Sequence, residues 1–164
     1  MFVAAQVDRL VSFIFDSISA KSTNNKSITV YNGFANLFLS ISYLFLNAIT
    51  GAICSFIALL RNIVFYKYKN KLPIIVLFLY FAIIILLNIG QIHILIDIIP
   101  LVLVIIFGTA LYYQNYLGLK IAGIITSFLE IIYDYYYHSY VGIATCTIYV
   151  ILVTISLLKK KKKG

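Results

Sequence analysis

Apolar residues run almost unbroken along this chain, interrupted at short and regularly spaced polar points. A hydrocarbon core of about 30 Å asks for roughly 20 apolar residues per helix, fewer where the helix is buried in protein. Seven segments meet that requirement, at approximately Phe2–Ala20, Ile28–Leu46, Ala48–Tyr66, Pro73–Ile89, Ile94–Tyr113, Leu117–Tyr137 and Tyr140–Leu158. The breaks are the polar stretch Lys21 to Ser27, Asn47, the stretch Lys67 to Lys71, Gly90-Gln91, Gln114-Asn115 and His138-Ser139. Because these breaks are short, consecutive helices are predicted to be antiparallel neighbours. The fold class is an all-α membrane protein of about seven transmembrane helices.

A second pattern lies on top of the first. Gly33, Phe38, Leu39, Ile41 and Tyr43 recur ninety residues later as Gly123, Phe128, Leu129, Ile131 and Tyr133, and each copy is followed by a further glycine, Gly51 or Gly142. Asn24-Asn25 and Gln114-Asn115 keep the same offset just ahead of each copy. The pattern predicts one membrane domain, residues 1–158, built from two parallel three-helix units of about 2–66 and 94–158. A linker helix at about 73–89 restores the direction between them. Residues 159–164 form a basic tail.

Charge gives the pattern an orientation, because loops rich in lysine and arginine are retained on the cytoplasmic side. Lys21, Lys26, Lys67, Lys69, Lys71, Lys120 and Lys159 to Lys163 fall at alternate ends of the segments, while the loops at residues 47, 90–93 and 138–139 carry neither residue. The N-terminus is then outside and the C-terminus cytoplasmic. Arg9 alone sits in an outer half, and Arg61 is expected to extend its head to the inner surface.

With 63% hydrophobic and 11% charged residues, the chain cannot coat a water-soluble globule with charge. Its first twenty residues lack the basic start and small-residue cleavage site of a secretory leader. The net charge of +8 suggests nucleic acid until its placement is considered. Five of the thirteen basic residues are Lys159 to Lys163, directly after the last apolar run, where anionic lipid is the partner expected. Cys54 and Cys146 lack the paired spacing of a zinc or redox site and read as small core residues.

The run Asn36-Leu37-Phe38 through Tyr43, then Thr50-Gly51-Ala52, then Arg61-Asn62-Ile63-Val64-Phe65, resembles the bacterial inner-membrane YgjV family. The stretch Tyr133 to Gly142 is similar to that family's second half. The family is similar in layout to SWEET and PQ-loop transporters and to nicotinamide riboside carriers, which share a three-plus-one-plus-three arrangement. The resemblance implies that fold in the inner membrane and, at one remove, a carrier. One departure bears on mechanism: only Pro73 and Pro100 are present and no Pro-Gln pair exists, so proline hinges are not the basis for rocking.

Ionisable residues inside a bilayer are costly, and each is a site hypothesis until a partner explains it. Glu130, Asp134 and His138 are spaced four apart and define one face of the sixth helix. At about 1.5 Å per residue from Lys120, Glu130 falls near the midplane, with the other two outward of it. This reads as an aqueous vestibule leading to a carboxylate that, lacking a cationic neighbour, could carry a proton. His93 and Asp97 repeat the spacing at the same end of the fifth helix. The other reading of Asp134 and His138 is a place in the outer headgroup zone beside a tyrosine belt.

Asn36 on the second helix, with Ser40 at the position matching Glu130, adds a midplane polar pair. Asn36 can bind a solute's hydroxyl or amide groups, or join helices. Tyr133 and its neighbours could stack on a ring-bearing solute or anchor the interface. Asp16 and Arg61, at comparable inner depth, are expected to form a structural ion pair, and Arg9 another with Asp8 or with an outer carboxylate such as Asp97. No contiguous metal motif, phosphate loop or complete catalytic motif is present. No cofactor and no enzymatic activity are expected. The reading is a carrier for a small polar solute, with a noncatalytic structural or accessory protein as the alternative and an intramembrane enzyme after it.

Overall fold

The computed structural model describes residues 1–68, 73–113 and 115–161. Lys69, Lys71, Gln114, Lys162 and Lys163 lie outside the described residues, as do the side chains of Lys159 to Lys161, and the basic-tail reading falls on them. Seven α-helices form among the described residues: α1 (Phe2–Lys21), α2 (Asn25–Phe45), α3 (Ile49–Tyr68), α4 (Ile74–Asn88), α5 (Ile99–Tyr113), α6 (Tyr116–Tyr136) and α7 (Tyr140–Lys161). Helices α2, α3, α6 and α7, and α5 with its leading 3-10 turn, are long and apolar enough to cross a membrane. The apolar α4 has 15 residues. α1 has the length, at 20 residues, but carries Asp8, Arg9 and Asp16.

The helix ends follow from local chemistry. α2 begins at Asn25 rather than Ile28 because the Asn24 side chain caps it, accepting from the Lys26 amide at 3.0 Å. Asn115 does the same for α6, accepting from the Leu117 amide at 3.1 Å. The fifth segment is not one helix from residue 94. A turn leads into a 3-10 segment, Leu95–Ile98, and regular helix starts at Ile99, which puts Pro100 in the first turn, where its missing N–H costs nothing.

Each helix packs on its neighbour in sequence, and α1 also meets α7 while α3 meets α5. The contacts α1–α2–α3–α5–α6–α7 and back to α1 therefore close into a ring. α4 stands outside that ring, against α3 and α5, and turns Phe78, Leu79, Leu86 and Leu87 outward. Large apolar side chains cover the outside of the other helices too, including Phe34, Phe56, Ile125 and Phe128. A surface of this kind suits lipid rather than water.

The two halves of the ring share a register, and it is 91 residues rather than the 90 of the sequence motif. α2 and α6 have 21 residues each, and both ends differ by 91. The capping residues Asn24 and Asn115 differ by 91. So do Asn47 and His138, the two non-glycine residues with positive φ, at 58° and 57°. Gly51 and Gly142, one turn into the following helices, keep the same spacing. A one-residue slip is about 100° around a helix, so the recurring Gly-x4-Phe-Leu-x-Ile-x-Tyr motif does not mark structurally equivalent faces. The position equivalent to Glu130 is Leu39, not Ser40.

Candidate functional site

Six helices in a ring, five of them with polar residues on their inner faces, surround a cavity of about 110 Å³. That is space for several water molecules or a solute of few heavy atoms. Its wall is built twice over. α1 contributes Arg9, Ser12, Phe13 and Asp16, and adding 91 gives Pro100, Leu103, Val104 and Phe107, the four residues that α5 contributes. On α2, Asn32, Ala35, Asn36 and Leu39 line it, and their counterparts Gly123, Thr126, Ser127 and Glu130 line it from α6. Cys54, Ser55 and Ala58 on α3 are matched by Thr145, Cys146 and Tyr149 on α7. Three lining residues have no lining counterpart: Tyr43, Gly51 and Arg61.

The positions are duplicated but the chemistry is not. Where α1 places Arg9, Ser12 and Asp16, α5 places proline, leucine and phenylalanine, so one wall is polar and the opposite one apolar. The largest concentration of charge is a buried cluster at one end. Arg9 Nη2 donates to Glu130 Oε1 at 2.8 Å, to Asp134 Oδ2 at 2.5 Å and to Cys146 Sγ at 3.3 Å. Tyr43 donates its hydroxyl to Asp134 Oδ1 at 3.1 Å and lies over the Arg9 guanidinium at 5.6 Å. The cluster joins α1, α2, α6 and α7. Glu130, Asp134 and Cys146 bring donor atoms within 4.8 Å of one another, a spacing that suits a cation, and the cation they hold is the Arg9 side chain.

Glu130 therefore has a cationic neighbour, which removes the premise of a lone midplane carboxylate. The vestibule ladder is also corrected. Asp134 is fully buried within the ion cluster, and His138 is exposed because α6 ends at Tyr136 and His138 takes the left-handed turn position. His93 is likewise exposed, in the connection ahead of the 3-10 segment. Asp97 is buried and accepts from the His93 and Ile94 amides at 3.1 and 3.3 Å and from the Tyr137 hydroxyl at 2.8 Å, so it fastens the start of the α5 region to α6. It is not the partner of Arg9.

A second polar chain runs along the other part of the cavity. Arg61 Nη2 donates to Asn62 Oδ1 at 3.1 Å, Asn62 Nδ2 to Asn32 Oδ1 at 2.9 Å, and Asn36 Nδ2 to the same Asn32 oxygen at 3.0 Å. Asn36 is on the cavity wall as expected, held by Asn32 one turn away. Asn32 was not singled out from sequence, although its spacing of four from Asn36 was visible there. Ser40 and Tyr133 do not line the cavity. The Ser40 hydroxyl donates to the Ala52 carbonyl at 2.9 Å, and the Tyr133 hydroxyl accepts from the Gly51 amide at 3.0 Å, so both join α2 or α6 to α3.

The Asp16–Arg61 pair does not form. Asp16 makes no ion pair among the described residues, and Arg61 turns inward, 3% exposed, rather than out to a membrane surface. Lys120, taken as a surface lysine, is buried at the end of α1, donating to the Ser19 and Ala20 carbonyls at 3.0 and 2.5 Å. It adds a donor to carbonyls at the helix end and keeps the start of α6 against the end of α1.

Apolar helices facing outward around an ionic, cavity-bearing interior define a multi-pass integral membrane protein. That class accounts for the composition and for the burial of Arg9, Arg61, Lys120 and Asp134 within the ring. The chain belongs to the Imp-YgjV family, described as bacterial inner membrane protein, whose model matches residues 3–163. No curated protein and no solved structure matches it.

Proposed function

We propose that the chain is a small-solute carrier of the bacterial inner membrane, with the ring cavity as its binding site. The observation that carries this reading is the cavity itself, lined from six helices at positions related by 91 residues. Two three-helix units, α1–α3 and α5–α7, related by an axis along the membrane normal, would rock about such a site and open it to each side in turn, with α4 as the connector. Lysine placement supports an external N-terminus and a cytoplasmic C-terminus whose Lys159 to Lys163 tail rests on anionic headgroups. Asn36 and Glu130, on α2 and α6, are the polar contacts proposed for the solute. Glu130 Oε1 is engaged by Arg9 and Tyr43, while no hydrogen bond to its second oxygen is formed among the described residues.

Glu130→Gln tests the reading. Asp134 still neutralises Arg9 in that variant, so the folded yield is expected to stay near that of the unchanged protein. Metabolite profiles of cells lacking and overproducing the protein should identify a solute that shifts, and its flux into reconstituted vesicles should fall at least tenfold with Glu130→Gln. Unaltered flux, or no solute that shifts, would count against a carrier. A second reading, a noncatalytic accessory protein whose polar residues only join helices, draws support from the Arg9–Glu130 pair; it predicts that the variant changes stability alone.

A further inference from the structure

Among the described residues two charged groups on the cavity wall are left without an opposite charge, Asp16 and Arg61, and Arg61 is the more deeply buried. Arg61 is 3% exposed, and its hydrogen bonds go to neutral acceptors: Nε and Nη2 to Asn62 Oδ1 at 3.3 and 3.1 Å, Nη1 to the Val104 carbonyl at 3.4 Å. The rings of Tyr80 and Phe107 lie 5.6 and 5.7 Å from the guanidinium. No carboxylate among the described residues pairs with it, whereas Arg9 has two. A guanidinium stays charged in proteins, and burying it without an anion is costly.

The site also has space reserved for it. A Cβ on Gly108 would come within 3.2 Å of Arg61 Nη1, so the bare backbone of α5 leaves the guanidinium its place. Position 152, the counterpart of Arg61 at 91 residues, is leucine and does not line the cavity. The 91-residue correspondence therefore does not account for this arginine.

We propose that Arg61 is the anion anchor of the cavity and that its ligand is a small zwitterion, one carboxylate with one amino group. This rests on reading the cavity as a solute site. The charge of the wall selects the class. Arg9 and Arg61 stand against Asp16, Glu130 and the adjoining Asp134, two basic groups against three acidic ones. A doubly charged phosphate would deepen that excess. A zwitterion leaves it unchanged, setting its carboxylate on Arg61 and its amino group toward Asp16, whose side chain has no ion pair among the described residues. The small cavity limits the ligand to a few heavy atoms.

The test is thermal unfolding of the purified full chain in detergent with millimolar L-alanine, L-alaninamide, propionate, ethylamine or inorganic phosphate. Alanine is expected to raise the midpoint saturably, with half-saturation at least tenfold lower than for any of the others. Arg61→Gln should raise the alanine half-saturation at least tenfold, and Asp16→Asn should narrow the gap between alanine and propionate. Equal responses to alanine and alaninamide in the unchanged protein overturn the proposal, as does absence of any response, and neither result requires a variant to fold. If vesicles carry a solute in a manner that depends on Glu130 but not on Arg61, the anchor is wrong and the carrier stands. Alanine stabilisation through Arg61 without solute flux upholds the anchor and sinks the carrier.

Discussion

Arg9→Gln is expected to lower the thermal midpoint of the purified protein by roughly 10 °C or to abolish its folded yield. The Arg9 side chain is one cation serving two buried carboxylates, at 2.8 and 2.5 Å, across helices that are far apart in sequence. Removing one partner of a buried ion pair costs about 3–5 kcal/mol, because the other charge is stranded, and here two are stranded. Arg9→Lys is expected to recover part of the loss, since a point charge cannot reproduce the planar contacts of a guanidinium. The informative control is the triple variant Arg9→Gln, Glu130→Gln, Asp134→Asn, which removes the charges together. It should unfold at a higher temperature than Arg9→Gln alone. A single variant as stable as the starting protein would mean that the cluster does not join these helices.

Gly142→Ala is the next largest effect. α6 turns into α7 through His138, whose φ is 57°, and Gly142 then packs directly on the Asp134 carboxylate and Ser139. A Cβ at this position would collide with the carboxylate that Arg9 and Tyr43 hold, so the methyl group would displace the cluster rather than a free chain end. Overpacking of this kind costs about 1–3 kcal/mol, and the loss should shrink in an Asp134→Asn background, where the cluster is already weakened. Equal losses in both backgrounds, read from thermal unfolding, would separate Gly142 from the ion cluster.

The seven helices were legible because apolar runs of membrane length allow few other folds, and the polar breaks fell within a few residues of the observed ends. Glu130 was legible by depth. Its partner was not: a contact between α1 and α6 depends on how the ring closes, and nothing local to Arg9 specifies it. The ladder of Glu130, Asp134 and His138 followed correct helical spacing but ran past the end of the helix at Tyr136. The ninety-residue spacing read from the motif is one short of the 91 that separates the corresponding helix ends, because matches among leucine, isoleucine and phenylalanine arise easily in so apolar a chain. The true register is carried by residues with backbone roles, Asn24 and Asn115, Asn47 and His138, Gly51 and Gly142. That slip moved attention to Ser40, which joins helices, and away from Leu39, which faces the cavity. The same distance-blind reading paired Asp16 with Arg61 from equal depth alone.

The central claim is that positions 91 residues apart face one water-accessible cavity between the halves of the ring. Single cysteines at Asn36 and at its counterpart Ser127, in a background where Cys54 and Cys146 are serine, test it by their reaction in vesicles with a small charged methanethiosulfonate reagent. Controls are cysteines at Phe34 and its counterpart Ile125, which are 49% and 45% exposed on the outer face. Asn36→Cys and Ser127→Cys should react at least tenfold faster than both controls, and alike within a few-fold. Reaction no faster than the controls, or only after unfolding, would contradict the account.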